Sequence, residues 1–530
     1  MKYFLILVVL TSLSTQGIAQ IIGPLSSEFN SIRQNGVSSI AATGDTVWIS
    51  PALNRNVDNG PEWFRPTGID FIDNGDARVF SIDLDGNTIV AGLGFTSQTP
   101  AGPQPAGFGY YISNDGGENW QFSEFLLDRF VEGDTTFVYG GTEYTRKRII
   151  VPEQSPPYNV AVKDEVIFSA NWASGLLRST DSGQSYERVI LPPFGVDELI
   201  PERNDYVWPD CQRVENGVCT ESANIYNSVG DDNLKGFAVH IDTQNRVWFG
   251  SAGGINVSDN ALTAPIDSIR WKNVGFDNSS DGLLARWIIE IAEDTATGRI
   301  WMTNWLAEST GSAFQGLDRF GIVYTDDGGE TFNQRLIGEK ILGITVKDNH
   351  VFAAGENGLF ISADGGDSWV KSPQIRSANT FLKSTTEFQS ATSTNDRVWI
   401  GTTDGIISTD DFGRSWEITR VNFPLTGGNT YDESAKTVDS YAYPNPYSPN
   451  QHEVVRIRFN VTNPGEINVQ IFDFGMNLVR ELDEIQAVNG SYEAIWNGVD
   501  QYGRNVANGP YFYVIETDGS TIKGKLLLIE

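Results

Sequence analysis

One short motif recurs along the chain and limits the folds that the chain can adopt. The motif is Ser/Thr-x-Asp-x-Gly-x-x-aromatic, and its five clear copies are built on Asp115, Asp181, Asp327, Asp364 and Asp411. The Asp side chain is suited to accept backbone N–H groups inside a tight turn, and the Gly supplies the positive φ that such a turn needs. Because the copies recur at the spacing of supersecondary units, we expect a repeat architecture, with these five aspartates in structural roles.

A second recurrence sets the number of repeats. A run of β-branched and aromatic residues follows a short polar turn seven times, at 46–50, 88–92, 165–169, 246–250, 299–303, 350–354 and 397–401. A further apolar strand precedes each run, so one repeat is four antiparallel strands. Seven such units that close on themselves form a β-propeller, since radial repetition protects the sheet edges. A flat sandwich array is the alternative, and it does not account for the regular Asp turns.

The long loops of this propeller fall on one side. Turns between strands 1 and 2 and between strands 3 and 4 share one face, and nearly all of them are short. The insertions lie in the connections from strand 2 to 3 and from strand 4 to the next blade, at about 50–75, 93–108, 123–157, 190–234, 272–284 and 304–321. We expect these insertions to form a wall over blades 1 to 5, with the ligand bound on that face.

The insertions contain the candidate functional residues. The aromatic candidates for ligand binding are Trp172, Trp305, Tyr206 and Trp208. The acidic candidates for catalysis are Glu143, Asp205, Asp210, Glu221 and Glu308. Aromatic faces beside carboxylates hold sugar rings, and a carboxylate pair is what glycoside cleavage requires. The alternative is that the aromatic residues only pack the loops onto the propeller and the carboxylates are solvated, so no catalytic residue is assigned.

Composition and the N-terminus indicate export. Residues 1–19 combine a basic start, a short apolar run and small residues at the end, which is typical of a secretory signal peptide. No later segment is apolar enough to span a membrane. With 68 acidic and 37 basic residues the net charge is −31, which argues against nucleic-acid binding. Cys211 and Cys219 are eight residues apart, and in an exported protein this favours a local disulfide over a metal pair. With three dispersed histidines, we expect no metal site and no cofactor.

The chain is expected to end in a second, smaller domain. The propeller is expected over 20–430, and the Pro-rich segment at 431–449 is interpreted as a linker. About six alternating strands follow over 450–530, which favours a small immunoglobulin-like sandwich.

Two resemblances to known families add to this interpretation. The repeated turn resembles the Asp-box (BNR-like) repeat of bacterial sialidases, sortilin-type receptors, xyloglucanases and photosystem assembly propellers. The C-terminal residues resemble the immunoglobulin-like domain of flagellar hook-capping proteins, in the version that serves as a type IX secretion sorting domain. This second resemblance is carried by Tyr443-Pro444-Asn445-Pro446, Trp496-Asn497-Gly498-x-Asp500-x-x-Gly503, Val506-Ala507-x-Gly509-x-Tyr511 and the strand at 525–529. It implies passage through an outer membrane by the type IX machinery, then attachment at the cell surface or release. An adhesion-type sandwich without a sorting role is the alternative.

Together these observations favour a secreted or cell-surface propeller that binds a glycan or a protein. An extracellular polysaccharide-active hydrolase or lyase is one alternative, and an accessory factor of secretion or adhesion is another. Fold alone does not choose between them.

Overall fold

The computed structural model describes residues 19–25, 31–60, 62–306, 319–377, 380–421 and 438–530. Over these ranges the chain is almost entirely β-structure. The described ranges contain one α-helix, Asp70–Asp73, and three 3-10 helices, Pro152–Gln154, Asp232–Leu234 and Ile266–Ser268. The expected signal peptide at 1–19 lies, but for Ala19, outside the described residues.

In the described ranges seven antiparallel sheets form the blades, each built from four consecutive strands, and one blade has a fifth strand added at its outer edge. From the inside outwards, blade 1 comprises Ser39–Thr43, Thr46–Ser50, Asn54–Asn56 and Trp63–Phe64; blade 2 comprises Arg78–Asp85, Thr88–Thr99, Gly102–Ser113 and Gln121–Ser123; and blade 3 comprises Pro157–Lys163, Val166–Asn171, Gly175–Ser179 and Glu187–Arg188. Blade 4 comprises Gly236–Ile241, Val247–Ser251, Gly254–Ser258 and Trp271–Val274, with Glu198–Leu199 added as a fifth strand. Blade 5 comprises Trp287–Asp294, Arg299–Leu306, Arg319–Thr325 and Asn333–Arg335; blade 6 comprises Ile341–Lys347, His350–Gly355, Gly358–Ser362 and Val370–Lys371; and blade 7 comprises Phe388–Ser393, Val398–Thr402, Gly405–Thr409 and Glu417–Thr419.

The blades close into a ring, which confirms the predicted seven-bladed propeller. The innermost strands of neighbouring blades contact one another all the way round, including blade 7 with blade 1. The segment before blade 1 joins the two ends of the ring: the Val37 backbone N–H donates to the Thr402 carbonyl at 2.9 Å, and that of Gly405 donates to the Asn35 carbonyl at 2.7 Å.

The two sequence recurrences interlock between blades. In all five turns the Ser or Thr hydroxyl donates to the Asp carboxylate at 2.7–2.8 Å. The carboxylate also accepts the N–H four residues beyond the Asp at 2.8–3.0 Å. The turn glycine then packs on a side chain of the preceding blade, which is a Trp for Gly117, Gly329 and Gly366 and an Ile for Gly183 and Gly413. A Cβ on Gly117 would lie 2.4 Å from the Trp48 ring, and one on Gly366 would lie 2.3 Å from the Trp301 ring, so both positions require glycine.

The two longest insertions do not form the expected wall. The connections after blades 2 and 3 run along the outer edge of blades 3 and 4, and each contains a hairpin: Thr135–Tyr139 with Thr142–Arg146, and Pro209–Glu215 with Val218–Asn224. The tip of the first hairpin reaches the 3–4 connection of blade 4. There Gly140 N–H donates to the Asp267 carbonyl at 3.0 Å and the Tyr139 hydroxyl donates to the Ile269 carbonyl at 2.8 Å. Apolar loop residues are thereby buried against the sheets instead of standing above the channel.

Two four-stranded sheets form the C-terminal unit around a shared apolar core. One sheet has the order Gln20–Leu25, Gly490–Trp496, Val455–Val461 and Ser440–Tyr443, and the other has the order Leu478–Ala487, Gly465–Phe472, Gly509–Thr517 and Ser520–Leu528.

This arrangement corrects the expected domain limits at both ends. The strand Gln20–Leu25 belongs to the C-terminal sheet and not to the propeller. Within the expected linker, Ser440–Tyr443 is an edge strand, and Tyr447 is fully buried in the sandwich core. The Pro-rich segment therefore opens the sandwich instead of only preceding it.

Candidate ligand-binding site

The innermost strands of blades 2 to 7 share a β-bulge at the end of the central channel. In each strand the bulged residue is the second or the third residue. The six bulged residues are Phe80, Tyr158, Phe237, Ile289, Leu342 and Gln389. All six side chains are partly exposed, whereas the residues on either side are mostly buried. A bulge redirects a side chain without breaking the sheet, so these six residues surround one opening, which we call the channel mouth.

Four aromatic rings form a row along one side of the channel mouth. Tyr158 lies 6.0 Å from Phe237 between ring centroids, Trp172 lies 5.4 Å from Phe237, and Phe237 lies 5.3 Å from Trp287. The Lys235 ammonium lies 5.6 Å from the Trp172 ring. All four rings are partly exposed. The row thus offers apolar faces to a ligand beside the Lys235 ammonium, which pairs with Asp232 at 2.7 Å.

A cavity of about 560 Å³ adjoins the row at Tyr158 and extends over blades 7, 1 and 2. Its polar groups are mainly amides, from Gln34, Gln104 and Gln389, together with Arg78. The Arg78 guanidinium donates to the Thr96 hydroxyl at 2.7 Å. The volume is within the range of small-molecule sites, and neutral donors and acceptors predominate on its walls.

The predicted aromatic residues divide into two groups. Trp172 belongs to the row at the channel mouth. Trp305 belongs with Trp172 in the first group, because it is paired in register with Trp287 of the row. Its indole N–H donates to the Ile341 carbonyl at 2.9 Å. Tyr206 and Trp208 are only 2% and 1% exposed and lie in the apolar cluster between blades 3 and 4. Their assignment to ligand binding is corrected, because a buried ring offers no free face to a ligand.

The predicted carboxylates do not converge. Glu143 and Glu221 are exposed on the two separate hairpins. Asp205 pairs with Arg203 at 2.5 Å on the surface. Asp210 is buried and holds Lys147 at 2.6 Å and Asn227 at 2.7 Å, so it joins one insertion to another. Glu308 lies outside the described residues.

The two cysteines lie on the two strands of the second insertion hairpin. Cys211 and Cys219 are joined by a disulfide that links the two strands of the second hairpin. In the described ranges no three His, Cys, Asp or Glu side chains are grouped as metal ligands.

The sequence interpretation missed two carboxyl groups that border the channel. Burial raises the pKa of Asp83 to about 6, although its carboxylate accepts the Val162 N–H at 2.8 Å. Burial, with a contribution from the charge of Asp83, raises the pKa of Glu290 to about 8. The Glu290 side chain is only partly exposed, so its surroundings disfavour the charged form. The sequence showed that both residues lie on innermost strands. It did not show that Asp83 of blade 2 and Glu290 of blade 5 come close enough to interact.

The bulges were also missed, because each one appears in the sequence only as one extra residue in an apolar strand.

The fold and the channel mouth define a seven-bladed β-propeller with a C-terminal β-sandwich. In the described part of the chain, no helix combines the length and apolar character that crossing a membrane requires.

Comparison with known proteins finds similar folds at low sequence identity. No family model matches the chain, and no curated protein matches it. Among solved structures, the GH74 xyloglucanase of Xanthomonas campestris is 12% identical, with a TM-score of 0.46 over 76% of this chain and 56% of that one. The GH74 enzyme of Niastella koreensis is 15% identical, with a TM-score of 0.46 over 95% of this chain and 74% of that one.

A third similar structure is PorZ, described as an essential bacterial surface component of the type-IX secretion system of Porphyromonas gingivalis. It is 12% identical, with a TM-score of 0.34 over 93% of this chain and 81% of that one. The chain spans little more than half the length of the Xanthomonas enzyme. At these identities and TM-scores the likeness carries neither substrate nor partner over to this chain.

Proposed function

We propose that the protein is a secreted or cell-surface binding protein whose channel mouth binds a glycan. The observation that carries the proposal is the row of four partly exposed rings beside amide side chains. Sugar rings stack their C–H faces on aromatic rings, and their hydroxyls bond to amides. The row and the 560 Å³ cavity meet at Tyr158, so a ligand could occupy both.

The proposal places the ligand on the same face as the sequence interpretation but at a different site. The mouth is formed by the innermost strands and by the short connection that follows the second strand of blade 3. The two long insertions do not form it. Strands hold Tyr158, Phe237 and Trp287 more firmly than loops would, which lowers the ordering cost of binding.

The test is binding of the full chain from residue 20 to a panel of neutral, acidic and sialylated polysaccharides, followed by calorimetry. We expect Trp172→Ala and Tyr158→Ala each to weaken binding of the selected glycan by about tenfold or more, which corresponds to about 1.4 kcal/mol. Phe130→Ala is the matched control, since Phe130 is 85% exposed in the insertion at 123–157 and is not one of the four rings of the row. Absence of binding across the panel, or equal binding by all three variants, would contradict a glycan ligand at the mouth.

The same samples address the alternative of a polysaccharide-active enzyme. Release of reducing ends that persists in Trp172→Ala but disappears in Glu290→Gln would favour a hydrolase whose acid lies in the channel. Binding without release would favour the binding function alone.

Export through a type IX pathway is part of the proposal and rests on the C-terminal resemblance. The test is expression in a type IX-competent bacterium of the full chain and of a chain that ends before Ser520–Leu528. Surface exposure of the first and intracellular retention of the second, measured by protease accessibility on intact cells, would support a sorting role. Equal exposure of both would contradict it.

A further inference from the structure

A second cavity lies on the outer edge of blade 3, away from the channel mouth. Its volume is about 300 Å³, at the lower end of small-molecule sites. It is enclosed between the outer strand of blade 3, Glu187–Arg188, and the hairpin that begins at Thr135–Tyr139. It opens to solvent beside Val138, which is 46% exposed. We call it the rim cavity.

The walls of the rim cavity are largely apolar. Phe137 and Tyr226 form a corner, with ring centroids 5.4 Å apart in an edge-to-face arrangement. Ile190, which is buried, and Ile266 complete the apolar surface. Such a surface accommodates a compact, ring-shaped or aliphatic group.

Two guanidinium groups lie in this apolar setting with unused donors. The Arg188 side chain is 7% exposed, and its Nη2 donates to the Leu126 carbonyl at 3.2 Å. Its Nε and Nη1 are buried and have no hydrogen-bond partner among the described residues. The Nε of Arg146, another wall residue, is in the same situation. Buried donors without partners are costly, so three of them at one cavity indicate a site for an acceptor group.

The charges at the cavity leave an excess of one cation. Asp128 lies 3.4 Å from Arg146 Nη2 and 3.6 Å from Arg188 Nη2, and it also accepts the Ile149 N–H at 2.8 Å. Glu187 at the opening is exposed and lies 3.6 Å from Arg178, its partner in register on the neighbouring strand Gly175–Ser179. Burial lowers the pKa of Arg188 to about 10, so the side chain is still charged at neutral pH. A single carboxylate between the two arginines would balance the charge.

We propose that the rim cavity binds a small organic carboxylate with an apolar body. The carboxylate accepts charge-assisted hydrogen bonds from the free donors of Arg188 and Arg146. The apolar body packs against Phe137 and Tyr226. This site is separate from the channel mouth and does not depend on the glycan proposal.

The experiment measures binding of benzoate and 3-phenylpropionate to the full chain from residue 20 by calorimetry, with benzamide and 3-phenylpropionamide as neutral matches and acetate as the match without a ring. We expect at least one acid to bind ten or more times more tightly than its own amide and than acetate. Arg188→Met should abolish this preference. Arg203→Met is the matched control, because Arg203 pairs with Asp205 on the surface and should leave binding unchanged.

Two results would overturn the proposal. One is equal binding of acid and amide, which would show an apolar cavity that does not use the arginines. The other is the lack of millimolar binding by either acid. If Arg188→Met does not fold, Arg146→Gln serves in its place and should weaken the acids but not the amides. The comparison of acid with amide on the unmodified protein needs no variant.

Discussion

At the scale of single residues, the repeated aspartate joins local folding to contacts between blades. Its carboxylate completes the turn, and the turn glycine then lies against an aromatic or aliphatic side chain of the preceding blade. Hydrogen bonding from Ser415 and Thr409 outweighs the burial of Asp411 and lowers its pKa to about 2. The group is therefore charged over the whole physiological range.

Removing one such carboxylate should weaken the propeller. Asp411 accepts the Ser415 N–H at 2.8 Å and the Ser415 hydroxyl at 2.6 Å. We expect Asp411→Ala to lower the free energy of unfolding by about 1–2 kcal/mol, the cost usual for a lost capping side chain. Asp410→Ala is the control at the preceding residue, because the Asp410 carboxylate is exposed and lies 3.9 Å from Arg397. Urea unfolding measures both variants, and equal midpoints would show that the turn is held by other contacts.

Glu290 should make the protein less stable as the pH rises. Its pKa is raised from 4.5 to about 8 in the folded chain, so the folded state binds more protons than the unfolded state between these values. Stability is then lost progressively from about pH 4.5 to pH 8 and is constant above that.

The variant Glu290→Gln removes this titration. We expect it to be more stable than the parent chain by about 2–4 kcal/mol at pH 9 and to lose most of this advantage at pH 5. Urea unfolding at pH 5 to 9 gives the difference, with the exposed Glu143→Gln as control. Parallel stability curves for Glu290→Gln and the parent would contradict the assigned environment.

At the scale of elements, the strand nearest the N-terminus completes a sheet at the other end of the chain. Gln20–Leu25 pairs with Gly490–Trp496, and Ile21 is buried in the sandwich core. The first insertion hairpin shows the same behaviour, since its tip reaches past blade 3 to the 3–4 connection of blade 4. Both elements are placed by burial of apolar side chains, and chain order has little influence on where they pack.

A substitution in this first strand tests its role. Gly23 has φ of +150°, and a Cβ there would lie 2.4 Å from the Tyr492 ring. We expect Gly23→Val to displace the strand and to lower amide protection in Gly490–Trp496, while the blades keep theirs. Hydrogen exchange measured by mass spectrometry reports both regions. Gln20→Ala is the control at the exposed end of the strand, and unchanged protection in Gly23→Val would show that the strand adds little to the sheet.

At the scale of the whole molecule, the connection between blades 6 and 7 joins the propeller to the sandwich. Arg376 lies 3.0 Å from Glu453, and Thr380 forms a β-bridge with His452. Thr380 also accepts a hydrogen bond from Arg420 at 2.7 Å, so the same residue contacts both units. The propeller is therefore linked to the sandwich by side-chain contacts as well as by the chain.

This junction should weaken in acid. Burial, with the charge of Arg420, lowers the pKa of His452 to about 4. The folded state binds fewer protons than the unfolded state, so the stability present above pH 6.5 is lost as the pH falls towards 4. We expect a loss on the order of 1 kcal/mol, allowing for the solvent that reaches the ring.

The measurement is hydrogen exchange of Thr380–Phe381 from pH 7 to pH 4, corrected for the intrinsic rate. His452→Asn keeps an acceptor for the Ser448 N–H, which donates to His452 Nδ1 at 3.2 Å, but it does not titrate in this range. Its protection should be independent of pH. A pH response of equal size in the variant would assign the effect to another group.

The sequence by itself determined the blade count and the turns. Both depend on contacts within about ten residues, where an Asp, a Gly and an aromatic residue at fixed offsets leave few conformations. It also placed Trp172 on the face where we propose that the ligand binds, since that position follows directly from the strand order.

Only the tertiary structure decided the rest. The bulges that define the channel mouth, the burial of Tyr206 and Trp208, the approach of Asp83 to Glu290 and the pairing of Gln20–Leu25 all join residues far apart in the chain. Such contacts form because ring closure brings distant strands together and because apolar loop residues are buried wherever a free surface is available. Neither cause leaves a local pattern in the sequence.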